Sequence, residues 1–229
     1  MIKNKIKQTL ILSIVLLGLL MGATTVQAQT SSEVIITWQA NNFYPSDYPN
    51  KAGVTRNTPV FVGLNLLENG SFANMSGNLV TWYLDGHVLK RGPGIDEVVF
   101  TASKSRGGEH KLRVIIETPS GNKDRTITIP IVDYDVVLNH SEPELNISPS
   151  TSLKIKAIPY FFNITSLNDL IFSWNVNNET RQTDNLNEIT LNIGGDERLL
   201  GTSISVNSIV ANRNNSLESA RTTKTFIIR

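Results

Sequence analysis

Leu79-Val80-Thr81-Trp82-Tyr83-Leu84-Asp85-Gly86 decides the fold, because a version of it returns as Ile171-Phe172-Ser173-Trp174-Asn175-Val176-Asn177-Asn178. Each copy alternates apolar and polar residues around one tryptophan and ends in residues that favour tight turns. A period of two is typical of a β-strand with one buried face. The tryptophans lie 92 positions apart, about the length of one small β-sandwich. The repeat therefore predicts two similar all-β units.

The segments around the two tryptophan strands recur in the same order. No stretch keeps a helical period of 3.6 residues over three turns, and turn-forming residues return about every ten positions. The pattern predicts two tandem Greek-key β-sandwiches, with Trp82 and Trp174 in their cores. We expect the first domain at residues 29–134 and the second at residues 135–229. Matching strand segments are Val60–Leu67 with Ser152–Ile158, Lys111–Ile115 with Thr202–Val206, and Arg125–Ile129 with Lys224–Ile228.

The first 28 residues have the pattern of an export signal. Lys3, Lys5 and Lys7 precede an apolar core, and Val26-Gln27-Ala28 offers small residues for cleavage between Ala28 and Gln29. The alternative is an uncleaved anchor, since the apolar stretch is of marginal length for a membrane span. We expect a Sec-type signal peptide and a secreted, extracellular or periplasmic protein, with membrane attachment only if the signal is retained.

Composition excludes several classes of function. The formal net charge is +1, and the signal carries three lysines and no acids, so the remainder has a charge of 1 − 3 = −2 and gives no electrostatic case for binding nucleic acid. Cysteine is absent, which removes disulfides, thiol catalysis and cysteine-based metal sites. We therefore expect packing of the two cores, without covalent cross-links, to hold the fold together.

The tryptophan strand and its turn also resemble a known group of modules. Trp82-Tyr83-Leu84-Asp85-Gly86 is similar to the Trp-x-x-Asp-Gly strand and turn of immunoglobulin-like and PKD-like modules in prokaryotic surface proteins, and Trp174 to Asn178 is a weaker copy. The chain departs from PKD modules in lacking the full Gly-Asp-Gly turn. The resemblance implies a β-sandwich fold and a surface location, and it implies no catalytic residues.

The sequence offers little chemistry for catalysis. His87, His110 and His140 are its only histidines, and none has a partner at metal-ligand spacing. We expect all three at the surface, with Glu109-His110 at the edge of a loop. No Gly-x-Ser-x-Gly elbow is present. The interpretation is a protein that is not an enzyme and needs no cofactor.

Two short segments are candidate sites. Asp133 and Asp135 lie at the expected domain boundary, where an oxygen-rich junction could bind Ca²⁺; the acids are few, so a solvated linker is favoured. Phe43, Tyr44 and Tyr48 lie in a proline-containing loop that could contact a partner. The loop could instead cover a sheet edge or tuck into the junction, and Tyr160-Phe161-Phe162 could be core.

Asn-x-Ser/Thr triplets are frequent, and we interpret them as loop composition because the chain is rich in asparagine, serine and threonine and carries a bacterial-looking signal. The leading functional hypothesis is a non-catalytic secreted or cell-surface protein that acts as an adhesion, spacer or envelope-assembly module. The alternative is a carbohydrate-binding or accessory module of an envelope enzyme complex. A glycan binder should expose two or three coplanar aromatic rings, and a spacer should not. The expected partner is a protein or a glycan of the cell envelope.

Overall fold

The computed structural model describes residues 32–142, 144–183 and 185–229, so the predicted signal and its cleavage site at Ala28 and Gln29 lie outside the described residues. Strands make up most of the described chain, with two short 3-10 helices at Leu167–Asp169 and Glu197–Leu199. The chain is thus all-β, as the alternating pattern predicts. Within the described ranges, no helix is both long enough and apolar enough to cross a bilayer.

The N-terminal half, residues 32–134, consists of two antiparallel sheets. One has the order β1-β2-β6, with β3 added to β2, and the other has the order β5-β4-β7-β8. Trp82 lies on β4 opposite Val114 of β7. The strands are β1 Ser32–Ala40, β2 Pro59–Glu68, β3 Ser71–Phe72, β4 Leu79–Leu84, β5 His87–Pro93, β6 Glu97–Thr101, β7 Glu109–Thr118 and β8 Gly121–Pro130.

The C-terminal half, residues 135–229, repeats this arrangement. One sheet has the order β14-β11-β9 and the other the order β10-β16-β15-β12-β13, in which β10 runs parallel to β16. Trp174 lies on β12 opposite Ser208 of β15. The strands are β9 Asp135–His140, β10 Asn146–Ile147, β11 Ser152–Tyr160, β12 Leu170–Val176, β13 Glu179–Arg181, β14 Glu188–Asn192, β15 Ser203–Asn212 and β16 Asn215–Ile228.

Each half has its own hydrophobic core. On β7, Leu112, Val114 and Ile116 are fully buried while the residues between them are more exposed, because successive side chains of a strand point to opposite faces. Trp82 and Trp174 are both completely buried and belong to separate clusters. A three-stranded path facing a sheet that carries the tryptophan strand, repeated in both halves, is the arrangement of immunoglobulin-like β-sandwiches. The domain boundary after residue 134 stays a prediction.

Candidate functional site

A short pairing of main chains joins the two halves. The amide of Phe43 donates to the carbonyl of Phe162 at 2.8 Å, and the amide of Phe161 donates to the carbonyl of Phe43 at 2.6 Å. Asn42 adds two side-chain bonds, in which its Nδ2 donates to the carbonyls of Gly53 and Phe161. The loop after β1 and the segment after β11 therefore form a two-residue ladder across the junction.

Aromatic rings pack around this ladder. The ring of Tyr48 contacts those of Tyr44, Tyr160 and Phe161 edge-on, with centroid distances of 5.6–6.1 Å. Phe161 has a φ of 65°, which is unusual for a bulky residue, and its side chain packs against the core of the N-terminal half. Phe43, Tyr44 and Tyr48 are thus half-buried in an intramolecular contact. These contacts are those of a loop tucked into the junction, one of the alternatives from the sequence. The partner-contact role of Phe43, Tyr44 and Tyr48 stays a prediction.

Gly53 permits the approach of Phe161. A Cβ atom at this position would lie 2.5 Å from Cγ2 of Val132 and 3.3 Å from the ring of Phe161. No side chain can occupy that space without a shift of Val132 or of the ring. The close fit places the C-terminal half directly against the loop that precedes β2.

Asn163 links the two halves through its side chain. Its Oδ1 accepts from Thr58 Oγ1 at 2.7 Å, and its Nδ2 donates to the carbonyl of Arg56 at 2.8 Å. The same Nδ2 donates to Oε1 of Glu218 at 2.6 Å. Thr55 contributes another bond, because its Oγ1 donates to the carbonyl of Phe161 at 2.9 Å. Both ends of the Asn163 amide are therefore used at the junction.

Glu218 is the buried acid of this network, with only 2% of its surface exposed. Its Oε2 accepts from Asn212 Nδ2 at 2.7 Å and from the amide of Asn163. Tyr134 lies beside it and donates its hydroxyl proton to the carbonyl of Arg56 at 3.0 Å. Burial, and secondarily the charge of Glu218, raises the pKa of Tyr134 to about 12. A buried carboxylate is tolerated here because hydrogen-bond donors surround it.

The two candidate calcium ligands do not converge with other acids. Oδ2 of Asp133 accepts from Arg106 at 3.0 Å, and Oδ1 of Asp135 accepts from the amide of Val136 at 2.8 Å. Among the described residues, no group of three or more histidine, cysteine or acidic side chains could hold a metal ion. Ca²⁺ requires six to eight oxygen ligands, so these two carboxylates alone would not make a complete site.

A second polar network fixes the turn after the first tryptophan strand. Asp85 Oδ1 accepts from Lys104 Nζ at 2.8 Å and from the amide of Lys111 at 2.9 Å, and its Oδ2 contacts His110 Nδ1 at 2.6 Å. His110 Nε2 accepts from the amide of Ser103. Burial alone would raise the pKa of Asp85, but the bonds from Lys104, Lys111 and His110 outweigh it and lower the pKa to about 2.

The prediction that His110 lies at the surface is therefore wrong, since only 1% of its surface area is accessible to solvent. It lies on β7 at a position where alternation turns the side chain inward, and Asp85 compensates the burial of its polar ring. His140 is half-buried against Phe226, and His87 is exposed. With both ring nitrogens of His110 engaged, the pair positions a turn and offers no accessible base for catalysis.

The junction residues Thr58, Asn163 and Glu218 escaped the sequence analysis. Thr58 and Asn163 are 105 positions apart. Thr58 belongs to no motif, and the Asn-x-Thr triplet at Asn163 gives no sign of a contact with the other half. The block Tyr160-Phe161-Phe162 was the nearest signal, and Phe162 is fully buried in the core of the C-terminal half. Aromatic residues beside a boundary could have indicated a packed junction.

Exposed aromatic rings are few among the described residues. Phe61 is 49% exposed on β2, and Phe72 is 72% exposed on β3. They belong to one sheet, but no ring contact joins them, and about 20 Å separates positions six residues apart along a strand. The rings of Tyr48, Tyr160 and Phe161 meet at 64–74° and pack against one another. None of these sets forms a coplanar platform for sugar rings.

Comparisons with known proteins find distant structural similarities and no family. No family model matches the chain, and no curated protein is significantly similar to it. Among solved structures, it is similar to fibronectin(III)-like modules of Clostridium thermocellum CbhA, with 14% identity, coverage of 85% of this chain and 93% of that one, and a TM-score of 0.28. Titin domains Z1Z2 in complex with telethonin match at 11% identity, 87% and 96% coverage, and a TM-score of 0.30.

A third similar structure is SGBP-B of the Bacteroides ovatus mixed-linkage glucan utilization locus, in complex with a mixed-linkage heptasaccharide. It matches at 13% identity with a TM-score of 0.28, and the alignment covers 87% of this chain and 47% of that one. Similarity at this level gives no basis for transferring a ligand.

Proposed function

We propose that the chain is a non-catalytic, exported module of the cell envelope that acts as a spacer or assembly element, with its two β-sandwiches held in one orientation. The observation that carries the proposal is the Asn163 side chain, which bonds Thr58 and Arg56 on one side of the junction and Glu218 on the other. A flexible linker would not engage both ends of one amide. The edge-on packing of Tyr48 on Tyr160 and Phe161 supports the same role.

Each neutral hydrogen bond of such a junction contributes about 1 kcal/mol, and bonds to a charged carboxylate contribute more. The ladder at Phe43 and the bonds of Asn163 to Thr58 and Arg56 join residues more than 100 positions apart, and Glu218 holds the Asn163 amide from within the C-terminal half. Tandem sandwiches without such contacts are expected to move relative to one another. A fixed orientation suits a protein whose function is to hold its partners at a defined spacing.

Distances between spin labels test this proposal. The chain has no cysteine, so two introduced cysteines can be labelled specifically. In residues 29–229, Arg125→Cys places a label on edge strand β8 of the N-terminal half, and Glu179→Cys places one on edge strand β13 of the C-terminal half. We expect one narrow distribution of label-to-label distances in this doubly labelled chain, and a broader distribution when Asn163→Ala is added to it. The matched control is Asn122→Ala, which removes an exposed amide of β8 far from the junction. A broad distance distribution in the doubly labelled chain without further substitution would contradict a fixed orientation.

Export is the other half of the proposal. It is supported by the lysines and apolar core that precede Ala28 and by the small residues at Val26-Gln27-Ala28 that suit cleavage. Fractionation of cells that produce the full chain should recover it outside the cytoplasm, and mass spectrometry should place its first residue at Gln29. Recovery of the intact chain in the cytoplasm would count against envelope function, whatever the spin labels show.

A further inference from the structure

A groove with polar and apolar walls runs along one side of the junction. Its first part has a volume of about 370 Å³ and is lined by Arg56, Asn57, Arg106 and Asn215 among others. Its second part, about 760 Å³, shares Arg106, Val132, Asp133 and Tyr134 with the first and extends to Arg221. Because the two parts share a wall, they lie side by side and form one surface contributed by both halves. Volumes of this order accommodate small ligands.

The turn at residues 55–58 is held rigidly at the mouth of this groove. The amide of Thr58 donates to the carbonyl of Thr55, and the amide of Asn57 donates to the carbonyl of Ala102 at 2.7 Å. The carbonyl of Arg56 accepts from Tyr134 Oη and from Asn163 Nδ2. Asn57 has a φ of 69°, a conformation that asparagine tolerates better than most residues. The main chain is thus fixed by both halves before any ligand arrives.

The side chains at the tip of this turn are unused. Arg56 and Asn57 are exposed, and neither side chain has a hydrogen bond or an ion pair with the described residues. The same holds for the guanidinium of Arg221 in the second part of the groove. Arg106 donates one N–H to Asp133 and keeps others free. A planar guanidinium pairs with a carboxylate through two parallel bonds.

We propose that this groove binds an acidic saccharide, with Arg56 and Arg221 on its carboxylates and the amides of Asn57 and Asn215 on its hydroxyls. Side-chain amides both donate and accept, as sugar hydroxyls do. Leu217, which is 85% exposed beside Asn215, offers an apolar surface to the C–H face of a ring. A saccharide is favoured over an acidic peptide because the first part of the groove combines amides and a hydroxyl, which suit sugar hydroxyls, with apolar surface at Val132 and Leu217, which suits the C–H face of a ring.

This site rests on the fixed orientation of the two halves, because both of them line the groove. The spin-label distances test that orientation separately from ligand binding, so failure of one can be told from failure of the other. The probe is a trimer of galacturonate, titrated calorimetrically into residues 29–229 at low salt. The matched ligand is the same trimer with its carboxylates methyl-esterified, and hexaglutamate tests the peptide alternative. We expect binding of the galacturonate trimer alone, weakened by added NaCl because the contacts are charged.

Three variants locate the site. Arg56→Gln and Arg221→Gln should each weaken the affinity about tenfold or more, the effect of losing a charge-assisted hydrogen bond. Arg125→Gln is the matched control, since it removes the same charge from an exposed position on β8. Equal binding of the esterified trimer, preference for hexaglutamate, equal loss with Arg125→Gln, or no binding at all would each overturn the proposal. Retained melting temperatures show that the variants are folded.

Discussion

Asp85 and Asn177 make the same two hydrogen bonds in the two halves of the molecule. Each follows its buried tryptophan by three residues and has a positive φ, 52° and 51°. The amide of Asp85 donates to the carbonyl of Lys111 while its Oδ1 accepts from the amide of Lys111. Asn177 exchanges the equivalent pair with Ser205. The repeated sequence thus encodes a repeated lock between the tryptophan strand and the neighbouring strand.

These two pairs of hydrogen bonds, here called locks, differ in the residue that precedes the partner, which is Lys111 in the first lock and Ser205 in the second. In the N-terminal half it is His110, buried and bonded to Asp85, and in the C-terminal half it is Ile204, which packs against the core. Only the first lock therefore carries a charge whose protonation matters. The stability of the two halves should respond differently to acid.

Asp85→Asn tests this difference. The folded pKa of Asp85 is about 2, below its ordinary value of 3.8, so its charge contributes stability that is full above pH 4 and is lost as the pH falls towards 2. The contribution is on the order of 2 kcal/mol. We expect Asp85→Asn to fold, because asparagine makes the equivalent bonds at Asn177. Its free energy of unfolding should be lower than that of the parent at pH 7 and should change less between pH 4 and pH 2. Urea unfolding measured across that range provides the comparison.

Asp124→Asn serves as the control for this measurement. Asp124 pairs with Arg113, and the bond lowers the pKa of Asp124, but both side chains are largely exposed and solvent screens the pair. Removal of the Asp124 charge should therefore hardly change how the free energy of unfolding depends on pH. Identical pH profiles for the parent chain and Asp85→Asn would show that the Asp85 charge does not stabilise the fold.

Tyr134→Phe probes the junction at alkaline pH. The pKa of Tyr134 is raised from 10.0 to about 12, first by burial and then by the charge of Glu218. The folded state holds this proton more tightly than the unfolded state, so stability falls as the pH rises from 10 to 12. The difference in phenolate absorbance between parent and variant should titrate near pH 12. A midpoint near 10 would mean that Tyr134 is solvated and does not contact the network.

The two tryptophans offer a matched pair of substitutions. Trp82 Nε1 donates to the carbonyl of Ile95 at 3.0 Å, whereas Trp174 Nε1 is buried with no partner among the described residues. Replacement by phenylalanine leaves a small cavity in both cores, but at Trp82 it also leaves a carbonyl without its donor. We expect Trp82→Phe to cost about 1 kcal/mol more than Trp174→Phe, as measured by urea unfolding. A larger loss at Trp174 would contradict the assignment of these bonds.

Calcium should not affect stability. Asp133 is engaged by Arg106, and Asp135 accepts from the main chain, so neither carboxylate is arranged with others around a common point. We expect the same melting temperature in EGTA and in millimolar CaCl₂. An increase in CaCl₂ that Asp133→Asn abolishes would establish the calcium interpretation instead.

Local pattern was enough to predict the longer strands, because burial of one face imposes a period of two, as on β7. The short strands β3, β10 and β13 are two or three residues long and show no such period. The turn at Asp85-Gly86 was equally readable, since both residues adopt a positive φ. The buried pair of His110 and Asp85 was not predicted, because periodicity gives the direction of a side chain and says nothing of its partner. Contacts such as Thr58 with Asn163 depend on how two units meet, which no local pattern specifies.

The use of both ends of the Asn163 amide has a consequence for producing the protein. Asn163-Ile164-Thr165 is an acceptor triplet, and a host that attaches glycans during secretion would modify the Nδ2 atom that donates to Arg56 and Glu218. The glycan would be added before the halves meet and would hold them apart. Protein purified from such a host would contain two β-sandwiches that do not pack against each other. Thr165→Ala removes the acceptor triplet, so this variant would keep an unmodified Asn163 amide in the same host.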